Sequence, residues 1–383
     1  MFTEASLDDL RKAIDEQTQS DKHLLDELVG DIRSLRSEVR VIRRRTTTSI
    51  SLVASDGGNN RLAFDPFLVQ IVRIVDSLGA DQMLDVISPT TDPDELVRRH
   101  FDAGHPKSSL GRLMADLGEA RLVDLSHMIP DGKTAREDPN SVSPTWVLTF
   151  RDLCEWAVLY ERLCAGEYAG NTLFVRDGLL RSKQFRGDLF VQMIKRMEAC
   201  IAATLKLKKR RIFLAGIAKH SQVLARYRLA MTIENLFPAG EAYYVPIPRA
   251  IERKAYRWPE YARGAGEEEG GEAAKFVGGR MFFVRFGPHR GDPVWAVDLL
   301  SLQANEAGEV FGFLLGDAVD GFPVPYYPRC LQKAHEFAQV VDFDLDILQD
   351  AVLDSVRNLL GASDRGAVDR MNLDPDPSGR RYE

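Results

Sequence analysis

Two short apolar runs in this chain end in the same way, on an aspartate followed by a glycine. The first, SISLVASDGG, begins at residue 49 and reaches Asp56, and the second, NTLFVRDG, reaches Asp177. Both runs predict short buried β-strands, and Asp-Gly is a common turn signal. If the two strands are neighbours in one sheet, both carboxylates emerge at the same edge. The pair therefore favours folds that bring these two strand ends together.

The remaining periodic segments predict an α/β protein with a mixed sheet. A third strand is predicted in RIFLAGIAK, and RMFFVRFGPHRGDPVWAVDLL predicts a hairpin. Four segments have helical patterns. They are DPFLVQIVRIVDSLGADQ, TFRDLCEWAVLYERLCAG, GDLFVQMIKRMEACIAATLK and LQKAHEFAQVV.

The first 45 residues predict one long helix. Two rows of apolar residues at 3-4 spacing form a seam along it, interrupted at Thr18 and Asp21. The rows are Leu7, Ile14, Leu28, Leu35 and Ile42, and Leu25, Ile32 and Val39. The helix either packs on its own domain or forms a coiled coil with a partner. We expect its second half to pack at a subunit or partner interface.

The predicted organisation is a helix over residues 1–45, one globular domain over 46–350 and a disordered tail over 362–383. Polar loops are predicted at 130–143 and 266–274, where proline, glycine and charged residues accumulate. No run is long and apolar enough to cross a membrane, and the first residues lack a signal-peptide pattern. We therefore expect a cytoplasmic protein.

Charge and cysteine content narrow the function further. The 383-residue chain has a net charge of −7, but it carries local basic runs. Phosphate binding needs only a local basic surface, so the basic run at residues 206–211 is a candidate DNA-binding segment. It comprises Lys206, Lys208, Lys209, Arg210 and Arg211. The four cysteines include no Cys-x-x-Cys pair, which predicts reduced thiols and argues against zinc.

The two strand-end aspartates could share an acidic site with a glutamate from the preceding helix. Glu161 is the favoured acid on that helix and Glu155 is its competitor. Three carboxylates suit Mg²⁺ or Mn²⁺ better than zinc. Hydrolysis of a phosphodiester requires an activated water and neutralisation of the leaving oxygen, which two such ions can supply. Lys219, at the end of the third strand, could contact the phosphate or the water. Asp298, in the hairpin, is predicted to have a structural role.

Five motifs in order resemble those of the NurA nuclease family, which works with the HerA ring ATPase. They are VASDGGNN, LYERL, LFVRDG, LAGIAKHS and PVPYYPRCLQKAHE, and together they span roughly residues 48–345. The resemblance implies a ribonuclease H-like mixed sheet with flanking helices and manganese- or magnesium-dependent cleavage of DNA. It also implies a homodimer and a hexameric HerA-type partner, in DNA-end processing or phage defence.

Matched by position, the resemblance implies that Asp56, Glu161, Asp177 and His335 are metal ligands or catalytic residues. It also implies a site tyrosine, which is Tyr326 or Tyr327 with a slight preference for Tyr326. Gly58 and Asn59 stand where the family commonly has a small polar residue. An alternative function is a weakly active adaptor subunit that loads or stimulates the ATPase. A coiled-coil scaffold is supported only by the first 45 residues.

Overall fold

The computed structural model describes residues 4–64, 67–88, 90–138, 142–256, 276–339, 342–361 and residue 365. The chain divides into two compact units. The first unit comprises Met1–Ser55 and Leu159–Lys333, and the second comprises Asp56–Val158 and Ala334–Glu383.

Strands and helices alternate along most of the described chain. The strands are β1 Arg40–Val41, β2 Ser51–Phe64, β3 Phe67–Asp76, β4 Asp81–Ile87, β5 Phe101–Asp102, β6 His105–Pro106, β7 Thr172–Asp177, β8 Ile212–Ala218, β9 Tyr243–Pro246, β10 Gly279–Arg285 and β11 Val294–Leu300. The helices are α1 Glu4–Ser20, α2 Lys22–Ser34, α3 Pro93–Arg98, α4 Ser109–Leu117, α5 Leu122–Leu125, α6 Gly132–Glu137, α7 Trp146–Ala165, α8 Leu189–Lys208, α9 Gln222–Ile233, α10 Arg249–Ala255, α11 Ala307–Ala318, α12 Arg329–Ala338 and α13 Asp342–Leu359.

The first unit contains a mixed sheet in the strand order β1-β9-β10-β11-β8-β7-β2. Strands β2, β7 and β8 run parallel, whereas β8, β11, β10 and β9 pair antiparallel. The central β7 and β8 are almost fully buried, as expected for parallel strands covered on both faces. The mixed sheet with helices confirms the predicted α/β fold class, and the predicted strand at 211–219 and hairpin at 280–300 are observed.

In the second unit, β2 is followed by β3 and β4, and β3 pairs antiparallel with β4. The predicted helix over DPFLVQIVRIVDSLGADQ is therefore wrong, because residues 67–87 form a strand pair. The β3 residues Ile71, Val72, Ile74 and Val75 are all at most 5% exposed. A short run that is apolar on both faces has the same composition in a buried strand and in a buried helix. Its β-branched residues favour the strand.

Strand β2 does not end at Asp56, as the Asp-Gly signal predicted, but continues to Phe64. The two glycines after Asp56 serve close packing instead of a turn. A Cβ atom at Gly57 would collide with the Glu155 carboxylate, and one at Gly58 would collide with the carbonyl of Ala338. Gly58 is needed because the backbone of Ala338 approaches the strand directly, whereas Gly57 faces the end of the Glu155 side chain.

The N-terminal segment is two helices and not one. It breaks at Asp21 between α1 and α2. Ile32 and Leu35 are buried in an apolar cluster of the first unit, and Leu28 and Val39 pack against that cluster. The prediction that this half of the seam packs on a partner is wrong, because it belongs to the core of its own unit. By contrast, the described side chains of α1 are exposed.

The predicted polar loops and the predicted tail lie partly outside the described residues. Residues 130–143 contain α6 in addition to loop, while 266–274 lies outside the described residues. Of the predicted tail, only Arg365 is described. The four cysteines form no disulfide. None of the described helices combines the length and apolar character that a membrane span requires.

Candidate active site

Two paired residues of the parallel strands β2 and β7 each precede one of the strand aspartates, Asp56 and Asp177. Ser55 of β2 pairs with Arg176 of β7, and each of these residues is followed directly by one of the aspartates. The prediction that these two strands are neighbours in one sheet is therefore confirmed, although β2 continues beyond Asp56. That the two carboxylates form one site stays a prediction.

Asp177 is held by two side chains of the first unit. The Lys219 ammonium donates to Asp177 Oδ2 at 2.8 Å, and the Tyr327 hydroxyl donates to Oδ1 at 3.3 Å. Lys219 follows β8 directly, so the two parallel strands deliver the acid and the cation to the same end of the sheet. The Lys219 ammonium also lies 5.4 Å from the centre of the Tyr327 ring. Both oxygens of this carboxylate are thus oriented.

Tyr327 is the tyrosine that contacts Asp177, whereas the sequence slightly favoured Tyr326, and the role of either as the site tyrosine stays a prediction. The Tyr327 side chain is fully buried and its ring contacts Trp295, with ring centres 4.7 Å apart. Tyr326 has a positive φ of 53°, and its carbonyl accepts a hydrogen bond of 2.8 Å from the Trp295 indole. The backbone at Tyr326 is therefore a bend that directs the next side chain towards Asp177.

Asp56 is bound to His335 within the second unit. His335 Nδ1 and Asp56 Oδ2 are 2.7 Å apart, and the Gly57 amide donates to Oδ1 at 2.9 Å. The amide nitrogen of Gln339 lies 3.1 Å from His335 Nε2. If that amide donates to Nε2, then Nδ1 carries the proton and donates to Asp56. The side chain of Asp56 is 12% exposed and that of His335 is 49% exposed, so the pair is open on the histidine side.

The helix α7 carries both candidate glutamates, and Glu155 is the one in contact with the Asp56 segment. Its carboxylate lies against Gly57, Arg151 forms an ion pair with it at 3.3 Å, and the residue is 9% exposed. Glu161 is six positions further, which corresponds to about 9 Å along the axis and about 120° of rotation. It is half-buried and belongs to the first unit. Its role as the site glutamate stays a prediction.

The basic run lies away from Asp177. It connects the end of α8 to the start of β8, whereas Lys219 follows the other end of the same strand. A strand of this length separates the two ends by roughly 25 Å. Arg211 is also engaged, since its guanidinium pairs with Glu306 at 2.8 Å and with Glu309 at 2.9 Å. The other four side chains are exposed, and their role in DNA binding stays a prediction.

A buried ion network anchors the segment that follows Asp177. Arg181 donates to both carboxylate oxygens of Asp298 at 2.7 and 2.9 Å, and to Glu252 at 2.7 Å. The amide of Leu180 also donates to Asp298, at 3.1 Å. All three charged side chains are at most 3% exposed. The structural role predicted for Asp298 is confirmed, and the network fixes the chain four residues beyond Asp177.

Sequence reasoning left two of these contacts undetermined. The sequence slightly favoured Tyr326 over Tyr327, and only the bend at Tyr326 shows which of them contacts Asp177. Gln339 was not considered, although the signal was present. It is four residues after His335, a spacing that places two side chains on the same face of a helix.

The second unit also holds a buried pair of titratable groups that is not part of this site. His100 Nε2 and Asp85 Oδ2 are 3.7 Å apart, and neither atom has a hydrogen-bond partner among the described residues. Burial raises the pKa of Asp85 to about 6 and lowers the pKa of His100 to about 4. His100 Nδ1 contacts the Ser108 hydroxyl at 2.9 Å. At neutral pH the histidine is therefore neutral beside an ionised carboxylate.

Comparison with known proteins gives similarity to solved structures alone. No protein-family model matches the chain, and no curated protein does. The chain is similar to the NurA nuclease from Sulfolobus solfataricus, with a TM-score of 0.44 and 13% identity over 94% of this chain and 99% of that one. It is also similar to NurA bound to dAMP and manganese, with a TM-score of 0.38 and 11% identity over 96% of this chain and 100% of that one. The chain is also similar to Argonaute from Marinitoga piezophila in complex with guide RNA and target DNA. That similarity has a TM-score of 0.26 and 9% identity over 78% of this chain and 31% of that one.

Proposed function

We propose that this protein is a divalent-metal-dependent DNA nuclease of the NurA type. The observation that supports the proposal is the β2–β7 register, in which Ser55 pairs with Arg176 and each is followed directly by an aspartate. Each carboxylate is already oriented by other side chains, Asp56 by His335 and Asp177 by Lys219 and Tyr327. Preorganised acids of this kind are typical of sites that bind a metal ion.

The chemistry of the donor set fits Mn²⁺ or Mg²⁺. Asp56 and Asp177 offer hard carboxylate oxygens, and His335 offers an imidazole nitrogen, which manganese tolerates better than magnesium does. Glu155 or Glu161 would add a further carboxylate. When bound, the ion would neutralise charge on the phosphate and lower the pKa of a water molecule.

The chain's own residues then have separate tasks. Lys219 places a positive charge beside Asp177, where it can also contact a phosphate oxygen of the substrate. Tyr327 fixes the rotation of the Asp177 carboxylate from a fully buried position. His335 is the exposed member of its pair, so it can exchange a proton with solvent or with a leaving oxygen. Clustered carboxylates repel DNA, so substrate binding at this point also depends on a cation.

The proposal includes a homodimer that acts with a HerA-type hexameric ATPase on DNA ends in the cytoplasm. Its support is the resemblance of five sequence motifs to NurA.

The test is cleavage of end-labelled linear DNA by the full-length chain, with Mn²⁺, with Mg²⁺ and with EDTA, in the presence and absence of the ATPase. We expect cleavage with Mn²⁺ and none with EDTA. Absence of cleavage under every condition, with stimulation of the ATPase retained, would support the adaptor function instead.

A further inference from the structure

A large cleft in the first unit is lined in part by Lys219, which binds Asp177. It has a volume of about 1100 Å³ and lies between α9 on one side and the turn between β10 and β11 on the other. This volume exceeds the range of about 300–1,000 Å³ that is typical of small-molecule pockets. The cleft is therefore large enough for an extended ligand.

The charge of the cleft is opposite to that of the whole chain. Its lining includes four cationic side chains and a single carboxylate, Asp292, whereas the chain has a net charge of −7. Asp292 is occupied in the turn, where it accepts a hydrogen bond of 2.6 Å from the His289 amide. A local excess of positive charge on an acidic protein favours a polyanionic ligand.

The four cations divide into two kinds. Arg285 is 1% exposed and donates to the backbone carbonyls of Gly287, Phe237, Pro238 and Glu241, so it is part of the cleft wall. Arg228 of α9 and Arg290 of the turn are exposed. Within the described part of the chain, their guanidinium groups have no hydrogen-bond or ion-pair partner. These two groups are available to a ligand.

Apolar residues lie between the cations, among them Leu224, Ile233, Pro293 and Val294. A single strand of nucleic acid exposes base faces to such a surface, whereas a duplex buries its base faces in the stack. A cleft with a charged edge and apolar walls therefore suits an unpaired strand better than a duplex.

We infer that this cleft binds an unpaired segment of nucleic acid and leads it to the site at Asp177 and Lys219. The inference rests on the proposed nuclease function for its direction, since Lys219 belongs to both places. Arg228 and Arg290 contact backbone phosphates, and the apolar wall contacts the bases.

The experiment compares two double variants of the full-length chain in EDTA, where the proposed site is inactive. R228Q/R290Q removes the two free cations of the cleft. R196Q/R226Q removes two exposed arginines of α8 and α9 that do not line it. Binding of a labelled oligothymidylate and of a labelled duplex of equal length is followed by fluorescence anisotropy over a range of salt concentrations.

We expect R228Q/R290Q to weaken binding of the oligothymidylate and to reduce its salt slope by about 1.4, since each phosphate contact on single strands contributes about 0.7. R196Q/R226Q should match the wild type. The inference is overturned if both double variants lose affinity equally, if neither does, or if the loss is confined to the duplex.

A separate measurement distinguishes this inference from the proposed function. Cleavage of a thymidine dinucleotide with Mn²⁺ needs the site but little of the cleft. If the wild type cleaves it while the cleft variant binds oligothymidylate normally, the inference is wrong and the function stands. If nothing is cleaved but the binding loss is specific to R228Q/R290Q, the nuclease proposal is wrong and the cleft still binds single strands.

Discussion

At the scale of single residues, Asp56 and Asp177 are oriented by different parts of the chain. Asp56 is oriented by the half-exposed imidazole of His335, whereas Asp177 is oriented by a buried tyrosine and a lysine. The two carboxylates thus differ in what a substitution would disturb. A substitution at Asp56 alters a hydrogen bond to a half-exposed histidine. A substitution at Tyr327 alters a hydrogen bond from a buried side chain.

The substitution Asp56→Asn should abolish Mn²⁺-dependent cleavage while the protein stays folded. Asparagine keeps an oxygen that can accept the hydrogen bond of His335, so the local structure is retained. Loss of one charge also relieves repulsion within the proposed cluster of carboxylates when no metal is bound, so the melting temperature should hold or rise slightly. The measurement is cleavage of labelled DNA together with thermal unfolding. Wild-type cleavage by this variant would contradict the assignment of Asp56 to the metal site.

Tyr327→Phe should weaken metal binding, whereas Tyr326→Phe should not. Removal of the Tyr327 hydroxyl leaves the Asp177 carboxylate without one of its two fixed donors. Such orienting contacts typically contribute roughly 10–100-fold in metal affinity or activity. Phenylalanine keeps the ring contact with Trp295, so folding should be preserved. The Mn²⁺ concentration needed for half-maximal cleavage is the readout, and a larger effect at Tyr326 would reverse the assignment.

A pair of matched substitutions also decides which of the two α7 glutamates is a metal ligand. Glu155 contacts Gly57, directly after Asp56, so Glu155→Gln should raise the Mn²⁺ requirement. Glu161→Gln is the matched change on the same helix. If Glu161, the residue implied by the family resemblance, is the ligand, Glu161→Gln will raise the Mn²⁺ requirement and Glu155→Gln will not. Melting temperatures of both proteins show whether a loss of activity reflects loss of fold.

At the scale of elements, the sequence predicted strands and helices well where one pattern was possible. The helices α7, α8 and α12 and the strands β7 and β8 all lie where periodicity placed them. The failure at β3 has a physical cause. Its residues Ile71, Val72, Ile74 and Val75 lie on both faces of the strand and are all buried, so they lack the alternation that distinguishes a strand from a buried helix.

Long-range contacts explain what the sequence could not give for the site. Asp56 and His335 are 279 positions apart, and Asp177 and Tyr327 are 150 apart. No local pattern encodes such pairs, and only the family resemblance suggested them. The two glycines after Asp56 were read as a turn because their real cause, the approach of Glu155 and Ala338, is also a tertiary contact.

The two N-terminal helices should respond differently to truncation. Deleting residues 1–20 removes α1, whose apolar side chains Leu7, Leu10 and Ile14 are 39–61% exposed, and should leave the melting temperature unchanged. Deleting residues 1–40 also removes Ile32 and Leu35 from the core. Loss of a buried leucine or isoleucine side chain costs about 2–5 kcal/mol, so this protein should be unstable or insoluble.

The shorter truncation also tests the proposed homodimer. An exposed apolar stripe on α1 can pack against a second copy, so removal of α1 should lower the mass measured by light scattering. If the mass and the melting temperature both stay unchanged, α1 has no part in self-association. If the longer truncation is as stable as the full chain, the assignment of α2 to the core is wrong.

At the scale of the whole molecule, stability depends on how buried charges respond to pH. Asp85 has a pKa of about 6 in the folded protein, against an ordinary value of 3.8. Between these values the folded state binds a proton that the unfolded state has released, so stability falls as the pH rises and levels off above about 6. His100 acts in the opposite direction. Its lowered pKa of about 4 means that stability is lost as the pH falls below 6.5.

Asp85→Asn should therefore stabilise the protein at pH 8 and lose that advantage below pH 4. At pH 8 the wild-type carboxylate is ionised in a site where Asp85 is 9% exposed and its Oδ2 has no hydrogen-bond partner among the described residues. The pKa difference corresponds to at most about 3 kcal/mol, since one pKa unit is about 1.4 kcal/mol. Denaturant unfolding at several pH values measures the effect, with the exposed Asp102→Asn as the control. A stability gain that is the same at pH 4 and pH 8, or that appears equally in the control, would show that ionisation of Asp85 is not its cause.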